Sequence, residues 1–303
     1  MKTKTIIIAL LLCVTLGVFA DEQRAQLDSV ITETYPSSKT KVEYSYNANG
    51  TVNSDILSNW KTNAWSQSYK NDYTYDAYNK ISIAIKSRMN IYTSAWTPST
   101  KYEYAYNDKG DHILRKEYKW DTDHWATREL IKSSYTYDAN GRIVSSIDTT
   151  AVSELTWQQI LRSEFLYDDT GKQISKETYL WDAKSGTWTK ESKYAYTYDA
   201  DDNLILILVN SWKESRTEWV NSKQEEMTYD ANGYLLTKVL SIWTTENSWL
   251  QFEKYTYYYH GYNTAINQLE AVSQSKGVKF LCNGQLFIEH NGKTYTVTGQ
   301  EVK

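Results

Sequence analysis

The chain has 303 residues, enough for one large domain or two ordinary ones, and it carries 27 Tyr and 12 Trp against 5 Phe and 2 Pro. A core of Leu and Ile would not have this composition; Tyr and Trp suit half-buried strand faces, where the ring packs and its polar tip meets water or a partner. The formal net charge of -4, with no clustered basic excess, excludes a nucleic-acid binder.

Residues 1–20 read as a signal peptide. Lys2 and Lys4 make a positive start, and Ile6 to Val18 is an apolar run too short to span a bilayer well. Val18-Phe19-Ala20 has the small-x-small pattern of a cleavage site before Asp21. Cleavage leaves Cys282 as the single cysteine, so no intrachain disulfide is expected and stability must come from strand pairing and packing. No membrane span is expected in the mature chain. Next come a strand through Leu27, Val30, Thr32 and Thr34, a break at Pro36, and a second strand. The first of these is expected to cap the sheet edge that follows.

Residues 21–266 form a repeat domain. The turn written YTYDANGRI at Tyr135 to Ile143 recurs with its last tyrosine at Tyr46, Tyr75, Tyr106, Tyr137, Tyr167, Tyr198, Tyr229 and Tyr259, in steps of 29 to 31 residues. A second aromatic residue usually stands two positions earlier, which puts the pair on one strand face. Asp or Asn opens the first seven turns, with His260 in a degraded eighth, and Gly usually comes three residues later, as in a type I turn closed by a bulge. Asn79 and Asp202 replace that Gly in two copies. Tryptophan marks the other end of each unit, at Trp65, Trp96, Trp125, Trp157, Trp188, Trp219 and Trp249. In five copies an earlier Trp faces it across a polar loop, which predicts a second hairpin closed by a cross-strand Trp pair. In most copies the Trp lies 10 residues before the motif tyrosine, an even number that predicts the same face for both.

The fold class that follows is all-β. About 16 strands form an antiparallel meander from eight hairpin repeats of about 30 residues each. Strand twist accumulates, so the single layer is expected to coil or to close into a barrel-like shell, aromatic face inward. A parallel β-solenoid with coils of the same length is the rival, and turn chemistry at both ends of each unit favours the meander.

YTYDANGRI resembles the YD, or Rhs-type, repeat, whose units centre on Y-x-Y-D-x-x-G-R followed by Leu or Ile. The likeness covers residues of about 44 to 266 and implies a long antiparallel sheet that spirals into a shell. The period here is longer, the Trp hairpin is additional, and no toxin domain follows, so the encapsulating role of large Rhs proteins is not carried over. Short secreted Tyr-rich repeat proteins of Bacteroidota, of no established function, are the nearer likeness.

Residues 267–277 read as a linker, and residues 278–303 as a small β module. Asn283-Gly284 and Asn291-Gly292 bracket Gln285-Leu286-Phe287-Ile288, and Tyr295-Thr296-Val297 follows, giving three short strands. The stretch resembles the C-terminal sorting-type tail of secreted Bacteroidota proteins. That implies handling by a type IX-like export system; a module that caps the sheet is the alternative.

Chemistry is sparse. No H-E-x-x-H, paired Cys or G-x-S-x-G occurs, and Asp199 to Asn203 lacks the Gly and late Glu of a calcium loop. No catalytic residue, metal or cofactor is expected. The reading is a secreted or surface-exposed, non-catalytic repeat protein that binds glycan or another protein. Trp65, Trp188, Trp219 and Trp249 are its candidate contacts, since aromatic faces stack on sugar rings and repeats favour multivalent contact. The alternative is a structural component of the envelope, and a carbohydrate-active enzyme is the outlier. The expected location is the periplasm, cell surface or exterior.

Overall fold

The computed structural model describes residues 25–153 and 156–260, with further strands at 278–282, 285–290, 293–296 and 301–302. The segment read as a signal peptide and the linker at 267–277 lie outside the described residues. Sixteen strands follow one another without a helix: β1 Leu27–Thr34, β2 Ser38–Tyr46, β3 Val52–Lys61, β4 Ala64–Tyr75, β5 Ile81–Asn90, β6 Ala95–Tyr106, β7 His112–Asp121, β8 His124–Tyr137, β9 Ile143–Ala151, β10 Trp157–Tyr167, β11 Gln173–Asp182, β12 Thr187–Tyr198, β13 Leu204–Lys213, β14 Glu218–Tyr229, β15 Leu235–Trp243 and β16 Trp249–Tyr259. Each pairs antiparallel with its sequence neighbours, and β1 pairs with β16, so the meander is a closed barrel. The C-terminal module is a sheet of four strands, β17 Val278–Cys282, β18 Gln285–His290, β19 Lys293–Thr296 and β20 Glu301–Val302, one more than expected.

The repeated turns close one end. In the six turns from Asp76 to Asp230 the opening Asp or Asn side-chain oxygen gathers backbone donors: Asp138 Oδ1 accepts from the N–H of Asn140 and of Arg142, both at 2.9 Å. In the first turn Asn49 Oδ1 instead accepts from the Thr51 N–H. The Gly141 N–H bonds the Asp138 carbonyl at 3.0 Å, and Gly141 itself sits at φ +80°. Asn79 and Asp202 take the same left-handed conformation, at φ 59° and 68°, as residue types that tolerate it.

The motif tyrosines answer a backbone problem created at this end. The β3–β4 ladder begins at Ser54 opposite Asp72, so the carbonyl of Val52 lies beyond it. The Tyr75 hydroxyl donates to that carbonyl at 2.7 Å. Tyr46 does the same for Leu27, Tyr106 for Ile81, Tyr167 for Ile143, Tyr198 for Gln173, Tyr229 for Leu204 and Tyr259 for Leu235. In the remaining copy, the fourth, Tyr135 serves His112, while Tyr137 donates to Asp111 Oδ2. Each acceptor is the first residue of an odd-numbered strand, so one phenol satisfies one otherwise unpaired carbonyl per repeat.

The tyrosine face is the inner one. Residues between the paired aromatics, Ser45, Thr74, Thr136, Leu166, Thr197 and Thr228, are exposed, whereas the flanking rings are partly covered. The interior is nevertheless no dry core. Among the described residues only Val30, Ala84 and Val209 are buried hydrophobics, and the side chains buried on this face include small polar ones such as Ser163 and Thr178. Sixteen strands about 4.8 Å apart and tilted about 40° give a backbone diameter of about 30 Å, a width at which barrels hold an aqueous channel.

The tryptophans are not on the tyrosine face, contrary to the even spacing. A β-bulge interrupts each hairpin closed at the Trp end, from β3–β4 to β15–β16, near mid-strand, while β1–β2 pairs without one: Thr178 faces Ser192 and Tyr179 faces Lys190, leaving Glu191 unpaired. The same slip occurs at Leu57/Ser58, Lys86/Ser87, Glu117/Tyr118, Val209/Asn210 and Leu240/Ser241. One extra residue reverses the alternation beyond it, so the Trp pairs point outward.

Candidate functional site

The outward face at the end opposite the Asx turns carries a belt of five Trp pairs. Trp60 opposes Trp65, Trp120 opposes Trp125, Trp181 opposes Trp188, Trp212 opposes Trp219 and Trp243 opposes Trp249. Ring centroids stand 4.8 to 5.1 Å apart, edge to face, the arrangement that aligns a ring edge with its neighbour's electron-rich face. Trp157 and Trp96 lie in the belt without a Trp opposite; Ala151 and Met89 face them.

Of the residues singled out in the sequence, Trp65, Trp188, Trp219 and Trp249 all take part in such pairs. None is a loop residue: each sits at or next to the start of an even-numbered strand and is partly covered by its partner. They do not converge on one cleft. Trp188, Trp219 and Trp249 are successive members of a belt, two strands apart, and Trp65 lies four strands beyond Trp249 around the closed barrel.

A feature of the belt went unread in the sequence. Five residues before the motif tyrosine stands a cation in seven copies: Lys41, Lys70, Lys101, Lys132, Arg162, Lys193 and Lys254, with Gln224 as the exception. All are on the outward face by register. They lean over aromatic rings: Lys41 lies 5.2 Å from the Trp65 centroid, Lys132 3.8 Å from Trp157, and the Arg162 guanidinium 5.5 Å from Trp188 and 4.3 Å from Tyr179. Lys190, nearer the rim, lies 4.4 Å from Trp212. Carboxylates partner several of them, as in Lys41–Glu43 at 2.8 Å, Lys70–Asp72 at 2.7 Å and Lys193–Glu177 at 3.0 Å. The fixed offset was visible in the sequence, and its odd spacing from the tyrosine gives the outward face, but the bulge hid that the Trp shares this face.

These charges also decide what the outer face is not. A cation held at the midplane of a bilayer on a lipid-facing strand costs about 2–4 kcal/mol, and this face repeats one at almost every unit. A lipid-facing position for it would repeat that cost around the barrel. No helix among the described residues is long and apolar enough to cross a membrane.

Inside, hydrogen bonds order the tyrosines. Asp55 is 8% exposed and accepts from Tyr73 Oη at 2.5 Å and Asn71 Nδ2 at 2.9 Å. Burial raises its carboxyl above the ordinary range despite those two donors. Burial, with the Asp55 charge second, pushes the Tyr44 phenol up to about 12. Ion pairs Arg115–Glu129 and Lys238–Glu225, at 2.7 and 3.3 Å, lie on the same face. Among the described residues no group of three His, Cys, Asp or Glu is placed to hold a metal.

A family model described as a family of unknown function, DUF3836, matches residues 153–228, the segment from the β9–β10 hairpin to the end of β14. A solved DUF3836 protein from Bacteroides vulgatus is 15% identical over 30% of this chain and 89% of its own, with a TM-score of 0.28. Another, from Parabacteroides distasonis, is 23% identical over 31% of this chain and 86% of its own, at 0.25. A porin-like protein from Bacteroides uniformis is 10% identical over 78% of this chain and 98% of its own, at 0.46. No curated protein matches the chain. The comparisons lend no support to the YD-type likeness or to the sorting-type tail.

Proposed function

We propose that this protein is a non-catalytic glycan-binding protein of the cell envelope or exterior, exported by its first 20 residues, that uses the outward Trp belt as its contact surface. The observation that supports this reading is the belt itself. Ring edges and faces, ammonium groups and carboxylates recur together at each hairpin on the outward face. A sugar ring offers C–H groups to the aromatic face and hydroxyls to the flanking Lys and Glu. Neighbouring pairs are two strands apart, about 10 Å, so a single polymer chain meets two or three of them at once. Weak single contacts then sum to useful avidity. Trp65, Trp188, Trp219 and Trp249 are the contact residues of this proposal.

The test is titration of the mature protein with a panel of soluble polysaccharides, read by tryptophan fluorescence. Quenching by at least one neutral polymer is expected, reduced in the double variant W188A/W219A and weaker for short oligomers of the same sugar. An unchanged spectrum across the panel would overturn the proposal.

A further inference from the structure

Some lumenal cations are matched by acids, in Arg115–Glu129, Arg128–Glu117 and Lys238–Glu225, whereas Lys176 and Lys223 stand singly without one among the described residues. One arc gathers three unmatched cations. Lys86 and Arg88 on β5 and Lys119 on β7 have no carboxylate in ion-pair reach among the described residues. Register places them on the inner face near the Trp end: Tyr69 is opposite Arg88, Asn71 opposite Lys86, and Thr100 opposite Lys119. Together with Tyr69 and Thr100 they line a cavity of about 760 Å³, walled on one side by the tip of the β5–β6 hairpin. That tip holds Ile91 and Tyr92 in water, at 74% and 91% exposure.

Tyr69 organises the floor. Arg88 Nη2 donates to its hydroxyl at 3.2 Å, and Lys86 Nζ stands 4.2 Å from its ring centroid. Both cations are thus held in place by one aromatic ring, with Lys119 across the cavity. Three positive charges in a concave, partly walled site focus the local potential and favour an anion. The cavity is far larger than a simple ion and has the size of an organic-ligand site. Hydroxyls of Thr97, Ser99 and Thr100 add neutral partners for a polyol.

We propose that this pocket binds an anionic saccharide, its carboxylate or sulfate engaged by Arg88 and Lys119 and its hydroxyls by the β6 side chains. The inference rests on the reading of the protein as a glycan binder but concerns a second site at the rim of the Trp end, bordered by the belt residue Trp120 and supplied with charge by the three inner-face cations. Uronate and sulfate ester share the required chemistry.

Calorimetry on the mature chain tests it with three tetrasaccharides: a galacturonate oligomer, a heparin-derived sulfated oligomer and a neutral cello-oligomer. At least one anionic oligomer is expected to bind, more weakly as salt rises, and its identity separates carboxylate from sulfate. R88Q/K119Q should weaken that binding roughly tenfold or more, as expected for lost hydrogen bonds to charged groups. W188A/W219A should leave it unchanged. Arg88 and Lys119 are exposed, and an unaltered near-ultraviolet circular dichroism spectrum confirms the variant's fold. Three results would overturn the pocket: neither anionic oligomer binding, wild-type affinity in R88Q/K119Q, or loss in W188A/W219A instead. If neutral polysaccharide still quenches the belt while no anionic oligomer binds, the pocket falls and the belt reading stands.

Discussion

One phenol per repeat satisfies one backbone carbonyl that the ladder cannot reach, and this accounts for the tyrosine that opens seven of the eight turns, Tyr135 taking the role beside Tyr137. Replacing Tyr198 with Phe removes the 2.9 Å bond to Gln173 and should cost about 0.5–1.5 kcal/mol, seen as a lower urea midpoint at unchanged slope. Phenols of this face also predict alkaline behaviour. Burial first of all pushes Tyr44, Tyr135, Tyr196 and Tyr259 to about 12 from 10.0. A raised folded value means that the protonated form is favoured by folding. Their contribution is therefore fully present below pH 10 and lost as pH rises from 10 to about 12. Ultraviolet phenolate titration alongside circular dichroism should show late ionisation joined to unfolding; phenols that all titrate near 10 in folded protein would contradict it. The tyrosine spacing was legible because it repeats. Its partner was not, since a carbonyl at the start of a strand carries no mark in the sequence.

At the scale of the hairpin, turn chemistry was readable and the mid-strand bulge was not. Asp138 to Gly141 shows its turn through residue types that accept donors and adopt positive φ. Gly141→Val should destabilise by about 1–2 kcal/mol, because a β-branched residue is strained at φ +80° although the space around it is open. Denaturant unfolding would measure this. A bulge leaves no such chemistry: Ser68, Arg128, Ile160, Glu191 and Phe252 share no side-chain type, yet each is the unpaired residue that turns the Trp outward. Counting ten residues from Trp188 to Tyr198 gave the wrong face for that reason. Deleting Ser222 should remove the slip, turn Trp219 inward and break its pair with Trp212. Near-ultraviolet circular dichroism should then lose part of its tryptophan signal while the far-ultraviolet β signature stays.

For the molecule as a whole, strand number decides closure. An even meander brings its first and last strands together antiparallel, and β1 and β16 pair from Ser29–Tyr258 to Thr34–Glu253. The sequence marked the strands but left the sheet coiled or closed, because nothing local to Leu27–Thr34 names its second partner. The expected edge cap is instead the closing strand. Its pairing removes the exposed edges that would invite aggregation, so the barrel does without an apolar core because its ladders are continuous. The sharpest test of this account is thiol labelling in a background lacking Cys282. Ser146→Cys lies on the inner face opposite Tyr135, and Thr136→Cys lies on the outer face. With a small, charged thiol reagent both should react in the folded protein at comparable rates, because the lumen holds water. A Cys at position 146 that stays protected until the protein unfolds would show a packed interior and contradict the hollow barrel.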